Sequence, residues 1–448
     1  MAQEQVSLET LSNLAKRRGF VFQASEIYGG LAGFWDYGPY GVELANNLKQ
    51  LWWKAMVYEH PNVFGVDGAI IQNPKLWKAS GHTEGFNDPM VEDAVNHKRY
   101  RADHLAGVDT TDLSELKELL KDKKSPDGNA LSEPRVFNMM MKTWVGPIES
   151  DDSVAYLRPE TAGSIFTNFE NVRETTRSKI PFGIAQIGKA FRNEISPRDF
   201  IFRVRELEQM EMQYFINPKT QDVDYERWRQ FAWEFLTKRL GIAESNLQWH
   251  EHEQNERAHY AAAAHDIYFK FPQGFKELWG THNRTDFDLT SHMKESGRDL
   301  TYFDEASRER FTPNVIESSV GVGRMLLAVM ANAYAEETVG DDTRIVLKFK
   351  PEIAPVKVAV LPLSKKPELS VVSEKVYTQI VQQTGWNIEY DETQSIGKRY
   401  RRQDEIGTPY CVTIDFESLQ DNCVTIRERD SMRQTRVPVD AIVENLKM

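Results

Sequence analysis

At 448 residues the chain exceeds what one ordinary core organises, so two or three domains are expected. Its 40% hydrophobic and 27% charged residues are those of a globular protein, and no apolar run approaches the roughly 20 residues that span a bilayer. A net charge of −12 excludes indiscriminate coating of nucleic acid, though not a local basic patch, and the two cysteines exclude a disulfide framework or a four-cysteine zinc site.

The polar opening MAQEQVSLETLSNLAKRRGF has no signal-peptide core, which points to a reducing cytoplasm. Leu8, Leu11, Leu14 and Ala15 have helical spacing and predict a helix over residues 7–18. EIYGGLAGFWDYGPYG, residues 26–41, reads as a tight aromatic-stapled loop or a functional one. An amphipathic helix follows from Val42 to Tyr58, and VFGVDGAIIQNP reads as a strand closed by Pro74. Residues 82–135 turn polar and look like an inserted subdomain that contains RYRADH, in isolation a solvated charged turn. FNMMMKTWVGP, residues 137–147, reads as a strand returning to the main sheet, and Arg158 and Glu160 flank a proline at a helix mouth.

The densest signal runs from Phe191 to Glu211. IPFGIAQIGKAF reads as a strand ending at Arg192 and Glu194, and IFRVRELEQMEMQYF as the returning strand. Alternation then puts Arg203, Arg205, Leu207, Gln209 and Glu211 on one face. Such a charged face is costly unless paired or liganded, so it reads as a floor for a polyanion.

A helix is predicted next, over residues 225–241. His250, His252, His259 and His265 lack the HExxH spacing and are read as structural or solvent-exposed rather than metal ligands. Glu277 and Asp286 lie on a segment with the clustered carboxylates of a site-lining strand. In residues 313–337 a strand bearing Glu317 meets Gly321 and Gly323, and Arg324 opens an apolar helix. This is no dinucleotide fingerprint, and no phosphate-loop motif occurs. After a linker at Lys348–Pro355, strand and helix patterns alternate as in a small α/β domain. There Lys398-Arg399-Tyr400-Arg401-Arg402 is either a solvated basic turn or a site for phosphate contact and base stacking.

Taken together, FRNE, R-x-x-x-L-x-x-x-E and GVGR before an apolar helix resemble motifs 2 and 3 of the class II aminoacyl-tRNA synthetases. AKRRGFVFQASEIYGG, WDYGPYGVEL, RADH, RPETA, RNEISPRDFIFRVRE and GKRYRRQDEIGTPYCVTID are similar to the homodimeric glycyl-tRNA synthetases over nearly the whole chain. The resemblance implies an α+β fold with a catalytic domain at residues 1–350, an antiparallel sheet flanked by helices. An insertion at about 82–135 interrupts it, and an anticodon-binding α/β domain occupies residues 351–448. It implies a cytoplasmic homodimer that uses glycine, ATP, Mg²⁺ and tRNA(Gly), with no membrane association and no structural zinc.

By the same resemblance Arg192 and Arg324 are catalytic. ATP falls to Arg192, Asn193, Glu194, Phe202, Arg203, Val204, Arg205, Glu206, Leu207, Glu277, Leu278, Gly321, Val322, Gly323 and Arg324, with Glu277 also the Mg²⁺ contact. Glycine falls to Arg101, Glu160, Leu207, Glu208, Gln209, Met210, Glu211, Glu317, Ser318, Ser319, Val320 and Gly321. The tRNA falls to Lys398, Arg399, Arg401 and Arg402. This chain departs from the family pattern in Gly163-Ser164, where the family reads Gln-Gly, in Ser318, where it has proline, and in Leu207, where it often has phenylalanine. Two alternatives stay open, a sister class II synthetase of other specificity and a non-enzymatic paralogue.

Overall fold

The computed structural model describes residues 6–108, 110–252 and 262–446. Its centre is a seven-stranded sheet built from β1 (Val63–Gly65), β2 (Phe182–Phe191), β3 (Glu206–Ile216), β4 (Leu247–Glu251), β5 (Ala263–Phe271), β6 (Gly274–Thr285) and β7 (Asn314–Gly321). Their spatial order is β4-β5-β6-β7-β3-β2-β1, antiparallel throughout except for the parallel β1–β2 edge.

Strand alternation divides this sheet cleanly. Met210, Met212, Tyr214, Ile316 and Val320 project to one face, where they pack under α1 (Pro39–Trp53), α2 (Gln221–Glu234) and α3 (Val322–Ala333). Leu48, Trp52, Trp228, Leu326 and Met330, all fully buried, are the helices' share of that core. The other face carries Phe182, Ile184, Phe215 and Val315 at one end, packed with Phe166, Phe169 and Leu289. Towards the opposite end that face is polar and open. Removing one face from water so completely is the main apolar driving force here, at about 25 cal/mol per Å² of apolar surface buried.

Several expected boundaries move. The second strand of the 191–211 hairpin begins at Glu206, not Ile201. Asp199 and Phe200 take φ of 60° and 59°, so the chain turns tightly there and joins only through an Arg198–Arg203 bridge. Arg203 and Arg205 therefore lie in the loop and do not share the Glu211 face by alternation. Pro74 opens a short helix, Pro74–Ala79, where a strand end was expected. Met141–Trp144 pairs with Val154–Leu157 in a separate ribbon, and Arg135–Asn138 joins Asn87–Glu92 and Arg99–Arg101. Neither segment returns to the main sheet. The latter three strands and helix Leu113–Leu120 enclose a small core of Val91, Ala102, Leu116 and Leu120. The apolar helix after GVGR ends at Ala333, and Tyr334–Val339 forms a hairpin with Asp342–Leu347.

Beyond it lies a second, mixed sheet of β8 (Val358–Pro362), β9 (Ile388–Tyr390), β10 (Tyr410–Ile414), β11 (Cys423–Glu428) and β12 (Gln434–Pro438), in the order β9-β8-β10-β11-β12. Helices α4 (Pro367–Thr384) and α5 (Ile396–Ile406) pack against it. A buried ion network joins it to the 334–347 hairpin. Arg344, fully buried, meets Glu337 at 3.0 Å and Asp404 at 2.9 Å, and Asp404 also receives Arg427 at 2.9 and 3.1 Å. A buried carboxylate is tolerable only with such pairing. No helix among the described residues is long and apolar enough to cross a membrane.

Candidate active site

The polar half of the sheet face is the floor of a cleft of about 660 Å³. Register explains which side chains meet there. Glu211 on β3 stands opposite Gln186 on β2 and Ser319 on β7, and Ser319 stands opposite Gly280 on β6. One row deeper, Gln213 stands opposite Glu317, and Glu317 opposite His282. Directly opposed residues share a face, so four strands contribute to one acidic well.

Glu160, Glu211 and Glu317 are the carboxylates of that well. Glu211, 2% exposed, accepts a hydrogen bond from Thr161 and one from Gln213 Nε2 at 3.2 Å. Burial, then the charges of Glu317 and Glu160, push its carboxyl up to about 8. Glu317 differs sharply. Burial works upward on it too, but Arg284 Nη1 at 2.5 Å and His282 Nδ1 at 3.1 Å hold it far below the usual carboxylate range. For Glu160 burial is likewise outweighed, by His82 at 3.4 Å and by Arg284, and the net shift is downward. The well thus holds two carboxylates shifted towards the ionised form and one shifted towards the protonated form.

At the other end the cleft is cationic. Arg192 donates from Nε to the Pro159 carbonyl at 3.1 Å, lies 5.6 Å from the Phe86 ring and lines the cleft. No side-chain hydrogen bond or ion pair with a described residue draws Arg203 away from the cleft, which it lines. Burial, partly offset by Glu194, lowers its pKa. Arg324 sits 4.4 Å over the Phe202 ring, donates to the Phe202 carbonyl at 3.3 Å and pairs with Glu277 at 3.0 Å. It lies in the first turn of α3, whose N-terminus opens at Gly321 into the cleft, and such an end favours anions. Phe202 supplies an aromatic wall beside Leu207. Trp35, Asp36 and Tyr37 of the glycine-rich loop also line the cleft, a placement that composition alone left undecided.

Not every expected residue arrives. Arg205 is turned away, donating to the carbonyls of Glu194 at 3.0 Å and Ala32 at 2.9 Å. Arg101 is held by Asp88 at 2.9 Å and by Asp103 at 2.5 and 3.1 Å, and it does not line the cleft. Alternation sends Ser318 to the helical face, where Trp279 Nε1 donates to it at 2.9 Å, and buries Met210 and Val320 in that core, although Val320 still borders the cleft; Val322, the first residue of α3, is buried there too. Glu208, paired with Lys49 of α1 at 3.1 Å, and Glu206, paired with Lys189, do border the cleft, but with their charges already partnered. Asn193 contributes its backbone N–H to the Met139 carbonyl at 2.8 Å. Arg158, buried over Gly188, is occupied by the carbonyls of Lys189 and Gly68. Asp286 is exposed at the start of helix Phe287–Ser296, away from the cleft.

The Gly163-Ser164 pair has a packing reason. A Cβ at Gly163 would lie 2.8 Å from Leu76 and 3.2 Å from Trp77, and Ser164 donates to Gln186 Oε1 at 2.7 Å. His252 and His282 gather around Asp266, while His259 lies outside the described residues. His250 stacks on Tyr268 at 4.7 Å, and His265 meets the Tyr225 hydroxyl at 2.8 Å. The residue that reading the sequence missed is Arg284, 3% exposed, which clamps Asp288 at 2.7 and 2.9 Å as well as Glu317. Its signal was the same-parity run Gly280, His282, Arg284 on β6, followed four residues later by Asp288.

In the C-terminal sheet the basic cluster divides. Arg399, 1% exposed, donates to the carbonyls of Pro362 at 2.5 Å and Asp391 at 2.9 Å. Tyr400 bonds Thr413 at 2.6 Å beneath Arg427, so it cannot stack on a base. Arg402 pairs with Asp391. Lys398 is exposed, and Arg401 and Arg402 stand beside it in a groove that Arg18 also lines.

Comparison with known proteins agrees with this geometry. The family described as tRNA synthetase class II core domain (G, H, P, S and T) matches residues 146–333, and that described as anticodon binding domain matches residues 357–448. The prolyl-tRNA synthetase of Giardia lamblia, solved with prolyl-adenylate, shares the fold at a TM-score of 0.67 and 14% identity. The match covers 98% of this chain and 75% of that one. The glycine–tRNA ligase of Treponema denticola is 48% identical over 454 residues, covering 100% of this chain and 98% of that protein. That of Macrococcus caseolyticus is 50% identical over 453 residues, covering 97% of each. Identity of this order, sustained from end to end, leaves no room for a different architecture or a borrowed domain: the chain belongs to the glycine–tRNA ligase family of class II aminoacyl-tRNA synthetases.

Proposed function

We propose that the chain activates glycine with ATP and passes it to a tRNA for glycine, with the cationic end of the cleft holding the triphosphate and the acidic well holding the amino acid. A glycine carboxylate oxygen attacks the α-phosphorus, and diphosphate leaves with the bonding electrons. A hydroxyl of the tRNA's terminal adenosine then attacks the carbonyl carbon, and AMP leaves. The observation that carries this reading is that one cleft is lined by Arg192, Arg203 and Arg324 at one end and by Glu160, Glu211 and Glu317 at the other.

Arg192 stabilises charge developing on the α-phosphate, and Arg203 and Arg324 hold the outer phosphates. Glu194 and the Phe202–Leu207 wall receive adenine. A magnesium ion bound with the nucleotide would supply neutralisation of phosphate charge. Glu277, half exposed and, among the described residues, ion-paired with Arg324 alone, fits it as a single carboxylate ligand. Glu211, Glu160 and Glu317 receive the ammonium. Lys398, Arg401 and Arg402 contact the tRNA backbone, as domains at 1–350 and 351–448 with an insertion at 82–135 would allow. A cytoplasmic homodimer completes the proposal, and the exposed Ile27 and Tyr28 supply apolar surface that a second copy would cover.

The test is amino-acid-dependent ATP–pyrophosphate exchange. Glycine alone among the twenty amino acids supports it, and exchange with another would overturn the specificity. Arg401→Ala retains exchange and lowers tRNA charging, whereas an equal fall in both would make Arg401 structural. A pH effect follows from Glu211. Because its carboxyl titrates near 8 when the well is empty, glycine binding at pH 7 displaces close to one proton as the ammonium docks. Calorimetry in buffers of different ionisation enthalpy reads that release, and Glu211→Gln abolishes it.

A further inference from the structure

Behind Glu317 lies a chain of partly buried groups, of which His282 also lines the cleft floor. His282 on β6 places Nδ1 3.1 Å from Glu317 Oε1 and Nε2 3.1 Å from Asp266 Oδ1. Asp266, 3% exposed on β5, has its second oxygen 2.7 Å from His252 Nε2. Both ring nitrogens of His282 face carboxylate oxygens, and only a doubly protonated imidazole can donate through both. Three adjacent strands create the bridge. Register sets His282 opposite Glu317, while Asp266 stands opposite Gly280, two residues before His282. Gly280 makes the diagonal possible, because a Cβ there would lie 3.1 Å from the His282 ring and 3.2 Å from Asp266 Oδ1.

We propose that Asp266 and His282 are a positioning pair that keeps Glu317 ionised and oriented for the glycine ammonium. This deepens the acidic-well reading and rests on it. Among the described residues, the charged groups facing His282 are Asp266 from β5, His252 beyond β4 and Glu317 from β7. Arg284 lies two residues along β6, with Glu211 and Glu160 beyond Glu317. Burial works to neutralise the ring, but its two carboxylates outweigh it and raise the pKa to about 10. Glu317 Oε2 already accepts from Arg284 and Gln213, so His282 is what anchors Oε1. With Oε1 pinned by one donor, its remaining lone pair keeps a fixed direction.

The ammonium takes no part in bond making, so a weakened Glu317 lowers binding equally before and during reaction. In pyrophosphate exchange, H282Q raises the glycine KM about 10–100-fold with kcat and the ATP KM little changed. Loss of the imidazolium lets Glu317 take up a proton at higher pH, so the acid limb of kcat/KM for glycine moves upward. H282K, which restores a cation, moves it back. Acting through Glu317, H282Q adds nothing further in an E317Q background. Additive effects of H282Q and E317Q overturn the proposal, as does an unchanged glycine KM in H282Q when E317Q raises it. An E317Q enzyme with normal glycine KM overturns the acidic well itself. One divalent metal per chain, bound by the wild type and lost in H282Q, would replace the protonated bridge with a metal site.

Discussion

Replacing Arg192 by alanine is expected to cut glycine-dependent pyrophosphate exchange by about 10²–10³-fold, on the order of 3–4 kcal/mol of transition-state stabilisation. The size follows from preorganisation. The Nε hydrogen bond to Pro159 and the Phe86 ring fix the guanidinium before substrate arrives, so its outer nitrogens meet the developing phosphate charge without reorienting. Arg192→Lys should recover little, because a point charge cannot both hold that carbonyl and reach the phosphate in a forked geometry. Thermal melting should be nearly unchanged in both variants, since the side chain is only partly buried. Exchange within a few fold of wild type would remove Arg192 from the mechanism.

The second large effect is structural first and functional by consequence. Arg284→Met is expected to cost about 3–5 kcal/mol, because it leaves Asp288 and Glu317 buried without their principal cation. Arg284 also lies 5.4 Å over the Phe166 ring, so its loss loosens the contact between β6 and the phenylalanine cluster. Urea titration of the catalytic unit reads the loss as a lower midpoint. Adding Asp288→Asn should return part of it, since one of the two stranded charges is then gone. An unchanged midpoint in Arg284→Met would mean that the clamp contributes nothing net.

Much of this site was legible because motif residues sit on elements whose periodicity is strong. The β2–β3 hairpin and the helix after Gly321 follow from apolar pattern and glycine placement, and strand parity alone separates Glu317 and Ser319 from Ser318. The parity argument failed only where it was extended past the strand, to Arg203 and Arg205. A turn with two left-handed residues resets the alternation there, and nothing local in RNEISPRDFIF announces it. Arg399 and Tyr400 failed for another reason. Both sit in a basic run that composition reads as surface, yet the helix that carries them faces β8 and β10, where distant carbonyls take up the Arg399 donors and the Thr413 hydroxyl pairs with that of Tyr400.

By itself the sequence determined the chemistry at hand: a charged hairpin, three carboxylates, a glycine-opened helix and the order in which they occur. Only the tertiary structure decided which of those charges are available. Availability depends on partners far away in the chain, as Asp88 and Asp103 are for Arg101 or the carbonyl of Ala32 for Arg205. It also decided the protonation of the well. Desolvation and the placement of Arg284 and His282 beside Glu317, but not beside Glu211, are properties of neighbouring strands and not of either residue.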